Sequence, residues 1–91
     1  MDTSTRLNIN GQAIGDEERL LSAKEVSIEV GFSRPLVYKK MANCNFPPCH
    51  RISEGRVAWL ESDIKIYRSM SQESFDHIYR SRLIEQQEQA A

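Results

Sequence analysis

The chain has 91 residues, of which 40% are hydrophobic and 27% charged, and its formal net charge is −1. This length predicts one domain with terminal segments, near the size at which a hydrophobic core alone is barely sufficient. The longest apolar run, residues 57–60, is too short to span a membrane, and the first residues lack the basic start and apolar stretch of a secretory signal. We therefore expect a cytoplasmic protein with no membrane partner.

The first segment of the chain, residues 1–18, shows no helical or strand periodicity and is rich in Asn, Gly, Thr and Ser. Segments of this composition bury too little apolar surface to offset the entropy lost on ordering. We expect a flexible N-terminal arm over residues 1–18, with a folded domain over residues 19–69.

Two short helices separated by a tight turn follow the arm. Ser22 and Glu25 form a capping-box pattern that predicts a helix start, and Gly31 predicts its end because glycine readily adopts the left-handed cap conformation. Ser33 can cap a second helix, and Pro35 falls in its first turn, where no backbone donor is needed. Helices joined by so short a connection cross each other, which predicts a helix-turn-helix.

The second helix, from Arg34 to about Ala42, is the predicted recognition helix, the one that enters a DNA groove. Val37 and Met41 are spaced to face inward. The outward side is then expected to carry Pro35, Leu36, Lys39 and Ala42, with Arg34 and Tyr38 on the flank.

A β-hairpin, or wing, is predicted next, because residues 49–52 and 56–59 flank a Ser53-Glu54-Gly55 turn. A third helix should begin at about Leu60, with acidic residues in its first turn, and Trp59 should close the core. These elements predict a mainly α domain with a small β-hairpin, the winged helix-turn-helix.

Residues 70–91 predict an amphipathic helix followed by a polar tail. Ser71 can cap the helix, whose apolar face should carry Phe75, Ile78, Tyr79 and Leu83. This helix either packs back on the domain or pairs with another copy.

Charge is distributed unevenly along the chain. Residues 1–29 sum to −3 and residues 61–91 to −2, whereas the second helix and the hairpin carry five cations and only Glu54, a sum of +4. A cationic stretch confined to these two elements is typical of a DNA-binding surface. The alternative is a solvated basic face without a partner.

Chemistry other than binding finds little support in the residues. Cys44 and Cys49 are interpreted as reduced thiols, and with only His50 and His77 as histidines the chain lacks the paired ligands of a zinc site. The sequence also contains neither a Ser/His/Asp set nor a phosphate-binding glycine loop. We expect no enzyme activity, catalytic residue, metal or other cofactor.

Several of these motifs, in this order, resemble the AlpA-like regulators and phage excisionases, relatives of the MerR-type winged helices. The similarity covers roughly residues 20–68 and rests on Glu25-Val26, residues 31–34, Val37-Tyr38, Phe46-Pro47 and residues 55–64. The resemblance implies a small double-stranded DNA-binding protein that regulates transcription of mobile-element genes or helps an integrase excise DNA.

The resemblance also implies site residues. Ser33 and Arg34 match contacts at the head of the recognition helix, Lys39 a basic position on its exposed face, and Arg56 the wing arginine. Tyr38 matches too, although a Tyr beside a core Val is equally compatible with a half-buried ring.

Other positions add to the footprint or depart from the family. Leu36 stands where relatives often carry Ser or Thr and can contact only a thymine methyl, and Lys40 replaces an apolar residue. The expected DNA-binding residues are Ser33, Arg34, Leu36, Tyr38, Lys39, Lys40, Arg51 and Arg56.

We therefore expect binding dominated by phosphate contacts and DNA shape, in an excisionase or small transcriptional regulator. Cooperative self-association on adjacent sites, mediated by the C-terminal helix, would add specificity. A purely transcriptional role and a protein-interaction module on the same scaffold are the alternatives.

Overall fold

A helix-turn-helix followed by a hairpin forms the centre of the computed structural model, which describes residues 7–90, with side chains as far as residue 88. A short strand, β1, precedes the motif. The elements are β1 (Leu20–Leu21), α1 (Ala23–Val30), α2 (Arg34–Ala42), β2 (His50–Ser53), β3 (Arg56–Leu60) and α3 (Glu61–Arg68). The predicted mainly α fold with a small hairpin is confirmed. No helix in residues 7–90 is long and apolar enough to cross a membrane.

The predicted helix ends of the helix-turn-helix are confirmed. Ser22 Oγ accepts a hydrogen bond from Glu25 N at 3.2 Å, and Glu25 Oε1 accepts one from Ser22 N at 2.9 Å, which completes the capping box. Gly31 ends α1 with a φ of 77°, and Ser33 caps α2 by accepting from Leu36 N. The turn between the helices is thus determined by local side-chain chemistry.

The sheet has three antiparallel strands in the order β1-β3-β2, one more than predicted. Leu21 of β1 pairs with Trp59 of β3. In the hairpin, Ser53 pairs with Arg56, so the turn has two residues and not the predicted three. A register irregularity between Arg51 and Ser53 takes up the extra residue.

The core forms between α1, α2, α3, the sheet and the C-terminal helix. Val26, Val37, Phe46 and Trp59 are each at most 1% exposed. The Trp59 indole N–H donates to the backbone carbonyl of Pro47 at 3.1 Å, so its polar atom is satisfied inside the core. Trp59 is therefore a core residue, as predicted.

The C-terminal helix comprises residues 72–90: α4 (Gln72–Phe75), a π-helical turn (Asp76–Arg80) and α5 (Ser81–Ala90). Ser71 caps it by accepting from Ser74 N at 3.1 Å. Phe75, Tyr79 and Leu83 are buried and pack back on the domain, whereas Ile78, expected on the same apolar face, is 45% exposed. The wider π turn aligns residues four apart and rotates the residue at i+3 out of the apolar face.

The N-terminal segment makes contacts that its composition did not predict. Ile9 is 7% exposed, and its N–H donates to Asp63 Oδ1 at 2.8 Å. The Tyr79 hydroxyl donates to Asn10 Oδ1 at 2.7 Å. The predicted flexible arm over residues 1–18 therefore includes a core residue, while its first six residues lie outside the described part.

Asp63 is the buried carboxylate of this core, 1% exposed, and within the described residues its Oδ2 atom has no hydrogen-bond partner. Burial raises the pKa of Asp63 to about 6 from 3.8; the Ile9 N–H lowers it and the charge of Glu18 raises it. Because the folded state holds this proton to higher pH than the unfolded chain does, the free energy of unfolding should fall between pH 4 and pH 6 and then level.

We predict that Asp63→Asn removes most of this decline, which we expect to be about 1–3 kcal/mol. Asparagine keeps an oxygen acceptor for the Ile9 N–H and carries no charge. Urea unfolding of both proteins from pH 4 to pH 8 measures the effect, with the exposed Asp16→Asn as the control. The same pH profile in wild type and Asp63→Asn would contradict the prediction.

Candidate nucleic-acid interface

Tyr38 joins α2 to the hairpin. Its ring lies edge-on to the Trp59 ring of β3, with 5.7 Å between centroids and 65° between planes. Tyr38 remains 40% exposed, whereas Trp59 is fully buried. The flank of α2 that carries Tyr38 therefore faces the hairpin.

Two exposed cationic side chains of α2 lie on this flank or next to it. Arg34 is exposed and lies one turn before Tyr38, so spacing places it on the same flank. Lys39 is exposed and lies roughly opposite the buried Val37, which directs it away from the core. Ser33 is exposed at the N-terminus of the helix, where uncompensated backbone N–H groups favour anions.

Lys40, by contrast, lies on the other flank of α2. Its Nζ is 3.3 Å from Gln72 Oε1 and 5.2 Å from the centroid of the Phe32 ring. The side chain is half-buried between these groups. The structure thus separates Lys40 from Arg34 and Tyr38. Sequence reasoning missed its partner Gln72 because nothing in the spacing connects the two.

The hairpin places its two arginines on different faces. Arg51 pairs with Val57, and directly paired residues share a face, so both lie on the face of Trp59 that turns toward Tyr38. Arg56 alternates with Val57 and therefore lies on the opposite face, beside the turn. We expected both arginines on one platform with α2, whereas the strand register places only Arg51 on the hairpin face that turns toward α2.

We call the exposed residues Arg34, Tyr38, Lys39, Arg51 and Val57 the α2–hairpin surface. Leu36 is 37% exposed on α2 and adds an apolar contact at its margin. Val57 and Ile52 are also partly exposed, at 36% and 38%. The surface is therefore cationic with apolar patches, a composition compatible with contacts to phosphate groups and to the methyl group of thymine.

Ion pairing reinforces this distribution of charge. In residues 7–88, ion pairs of 4.0 Å or less involve α1, α3 and the residue before β1: Arg19 with Glu25 and Glu61, Lys65 with Glu61, and Arg68 with Glu29. In the same part of the chain, Arg34, Lys39 and Arg56 make no ion pair. The charges of Arg34, Lys39 and Arg56 are thus available to an external anion.

Metal ligation finds no geometric support in the described residues. They contain no group of three or more His, Cys, Asp or Glu side chains arranged to hold a metal ion. Cys44 is buried and Cys49 half-buried, and both are free thiols.

Comparison with known families agrees with this geometry. The model of the family described as prophage CP4-57 regulatory protein (AlpA) matches residues 19–66, which run from the residue before β1 into α3. Searches of curated proteins and of solved structures gave no significant match. The match covers the whole α2–hairpin surface and ends before the C-terminal helix.

Proposed function

The chain belongs to the AlpA family of prophage regulatory proteins, and we propose that it binds double-stranded DNA through the α2–hairpin surface as an excisionase or transcriptional regulator. The observation that carries this proposal is the set of exposed cations on α2, beside a hairpin that presents Arg51 on the same side. Arg34 and Lys39 make no ion pair with any described residue. Both can therefore bind DNA without first breaking an internal contact.

In the proposed complex, α2 lies in the major groove. Ser33 and Arg34 at its N-terminus reach phosphates and base edges, as the first residues of a recognition helix do in related motifs. Lys39 contacts a phosphate, and Leu36 contacts a thymine methyl if one is present. Arg56 lies on the other face of the hairpin, beside the turn, and there it meets the backbone across the groove from Arg51.

The biological role within this proposal is the excision of a mobile element with its integrase, or the regulation of its genes. The α2–hairpin surface offers few base-reading groups, because Pro35 and Leu36 occupy outward positions and neither side chain can donate or accept a hydrogen bond. Such a binder gains selectivity from several copies on adjacent sites. An excision assay with the element's integrase separates the two roles. Excision that depends on this protein supports the excisionase role. Repression of an operator by this protein, with no effect on excision, supports the regulatory role.

Neighbouring lysines on α2 provide a direct test of DNA binding. We predict that Lys39→Gln makes the slope of log K against log salt less negative by about 0.9, the value for one lost phosphate contact. Lys40→Gln removes the same charge but should leave the slope nearly unchanged, because Lys40 is engaged by Gln72 and Phe32. Fluorescence anisotropy on one duplex, from about 50 to 200 mM salt, measures both slopes.

The pair also shows how the proposal can fail. Thermal melting of both variants checks that each remains folded. Equal slope changes would contradict the assigned orientation of α2, and absence of binding by the wild-type chain at low salt would remove the proposed function.

A further inference from the structure

Three side chains of the C-terminal helix hold the C-terminal end of α2. Gln87 Nε2 donates to the Ala42 carbonyl at 3.4 Å, Arg80 Nε to the Asn43 carbonyl at 3.3 Å, and Gln72 Nε2 to the Asn45 carbonyl at 2.8 Å. The last carbonyls of a helix have no partner within the helix itself. The C-terminal helix supplies a partner to Ala42, the last residue of α2, and to Asn43 and Asn45 just beyond it, from 27 to 45 residues away along the chain.

Backbone N–H groups at the end of α2 already bond some of its last carbonyls, and the remaining carbonyls need donors from elsewhere in the chain. Asn43 N donates to Lys39 O, Cys44 N to Met41 O and Asn45 N to Lys40 O. These bonds occupy the carbonyls of residues 39, 40 and 41. The side chains of the C-terminal helix take the carbonyls of residues 42, 43 and 45, so the two sets complement each other.

Gln72 is the centre of this contact. Its Oε1 accepts from the Lys40 ammonium at 3.3 Å and from the Tyr67 hydroxyl at 2.5 Å, while its Nε2 donates to the Asn45 carbonyl and to Asp76 Oδ1. One amide group thus joins α2, α3 and the π-helical turn. Both polar atoms of the Gln72 amide are thus hydrogen-bonded, and a half-buried group bonded in this way favours one arrangement of the elements that it joins.

The π-helical turn also contributes side chains that bond the residues at the end of α2. Asp76 at its start accepts from Gln72 and from Asn45 Nδ2 at 3.4 Å, and Arg80 at its end reaches Asn43. Local widening of a helix re-aims side chains and is frequent at functional sites. These contacts lie at residues 72–87, beyond the segment that matches the family.

We infer that Gln72 and Arg80 are positioning residues for α2: they set how this helix is presented to DNA without contacting DNA. Sequence preference depends on the position of α2 in the groove, because base contacts require alignment to within fractions of an ångström. Phosphate contacts tolerate small shifts, since they depend mainly on charge. The inference rests on the proposed DNA binding, but its structural half can be measured without DNA.

The experiment compares Arg80→Met and Gln72→Met with Arg82→Met. The last variant removes the same charge as Arg80→Met from the same helix, but Arg82 lies over the Tyr79 ring, with 5.9 Å from guanidinium carbon to centroid. Amide hydrogen exchange should accelerate about fivefold or more at Asn43, Cys44 and Asn45 in the first two variants, and remain unchanged in Arg82→Met. The Gly31 amide, bonded to the Ser27 carbonyl, should be unaffected in all three.

The DNA measurement uses a duplex selected from a random pool by the wild-type chain and an unrelated duplex of the same length. Arg80→Met and Gln72→Met should lower the ratio of the two affinities about tenfold, and Arg80→Met should keep the wild-type salt slope. Arg82→Met should keep the wild-type ratio.

Each other outcome has a definite meaning. A salt slope less negative by about 0.9 in Arg80→Met would make Arg80 a phosphate ligand and overturn the positioning role. Unchanged exchange rates, or an unchanged affinity ratio, would overturn it as well. If the wild-type chain selects no duplex, the proposed function fails, and the exchange rates alone decide whether the C-terminal helix holds α2.

Discussion

Replacing Phe75 with alanine is expected to lower the free energy of unfolding by about 3–5 kcal/mol. Phe75 is fully buried, and its ring centroid lies 5.1 Å from those of both Tyr67 and Tyr79. The substitution removes the ring that connects the C-terminal helix to α3. Because small domains have only about 5–15 kcal/mol of stability in total, urea unfolding should show a large shift of the midpoint.

Ile78→Ala is the matched control for Phe75→Ala. It removes an apolar side chain from the same helix, three residues away, but at a position that is 45% exposed. Its effect should stay within about 0.5 kcal/mol. Similar small losses in both variants would mean that residues 19–66 hold their core without the C-terminal helix.

The features that the sequence predicted are those with local causes. The start and end of α1 follow from Ser22, Glu25 and Gly31, which lie within ten residues of one another and form their bonds inside that interval. Ser33 determines the start of α2 in the same way. The helix-turn-helix was therefore predictable from spacing and cap chemistry alone.

The features that the sequence did not predict have distant causes. Strand β1 consists of Leu20 and Leu21, too short for any strand pattern, and exists because Leu60 and Trp59 offer a free strand edge. Ile9 enters the core because its N–H meets the Asp63 carboxylate, 54 residues later. No periodicity within either segment encodes such a meeting.

The same distinction applies to the candidate site. Lys39 and Lys40 are adjacent and chemically identical, and the sequence placed both at the DNA. Gln72, which lies 32 residues from Lys40, engages only the second. The two hairpin arginines were also grouped by type, whereas strand alternation assigns Arg51 and Arg56 to different faces. Composition located the cationic segment, but the partners of each cation determine its orientation.

Arg34→Ala should weaken binding to the duplex that the wild-type chain selects by about 1–3 kcal/mol, which is about 5- to 150-fold. Arg34 is exposed in the first turn of α2, on the flank of Tyr38, and makes no ion pair within residues 7–88. A guanidinium in this position can donate two parallel hydrogen bonds to a guanine edge. Alanine removes both the charge and these bonds, and it leaves the Ser33 cap in place.

Arg34→Lys separates charge from base recognition at this position. Lysine restores a cation but cannot reproduce the planar pair of donors. We expect it to recover affinity for an unrelated duplex while the preference for the selected duplex stays reduced, as measured by anisotropy at one fixed salt concentration. Repeating the selection with each variant gives the decisive comparison. If Arg34→Ala and Arg34→Lys select the same sequence as the wild type, Arg34 contributes charge alone. Base recognition must then come from another part of the α2–hairpin surface.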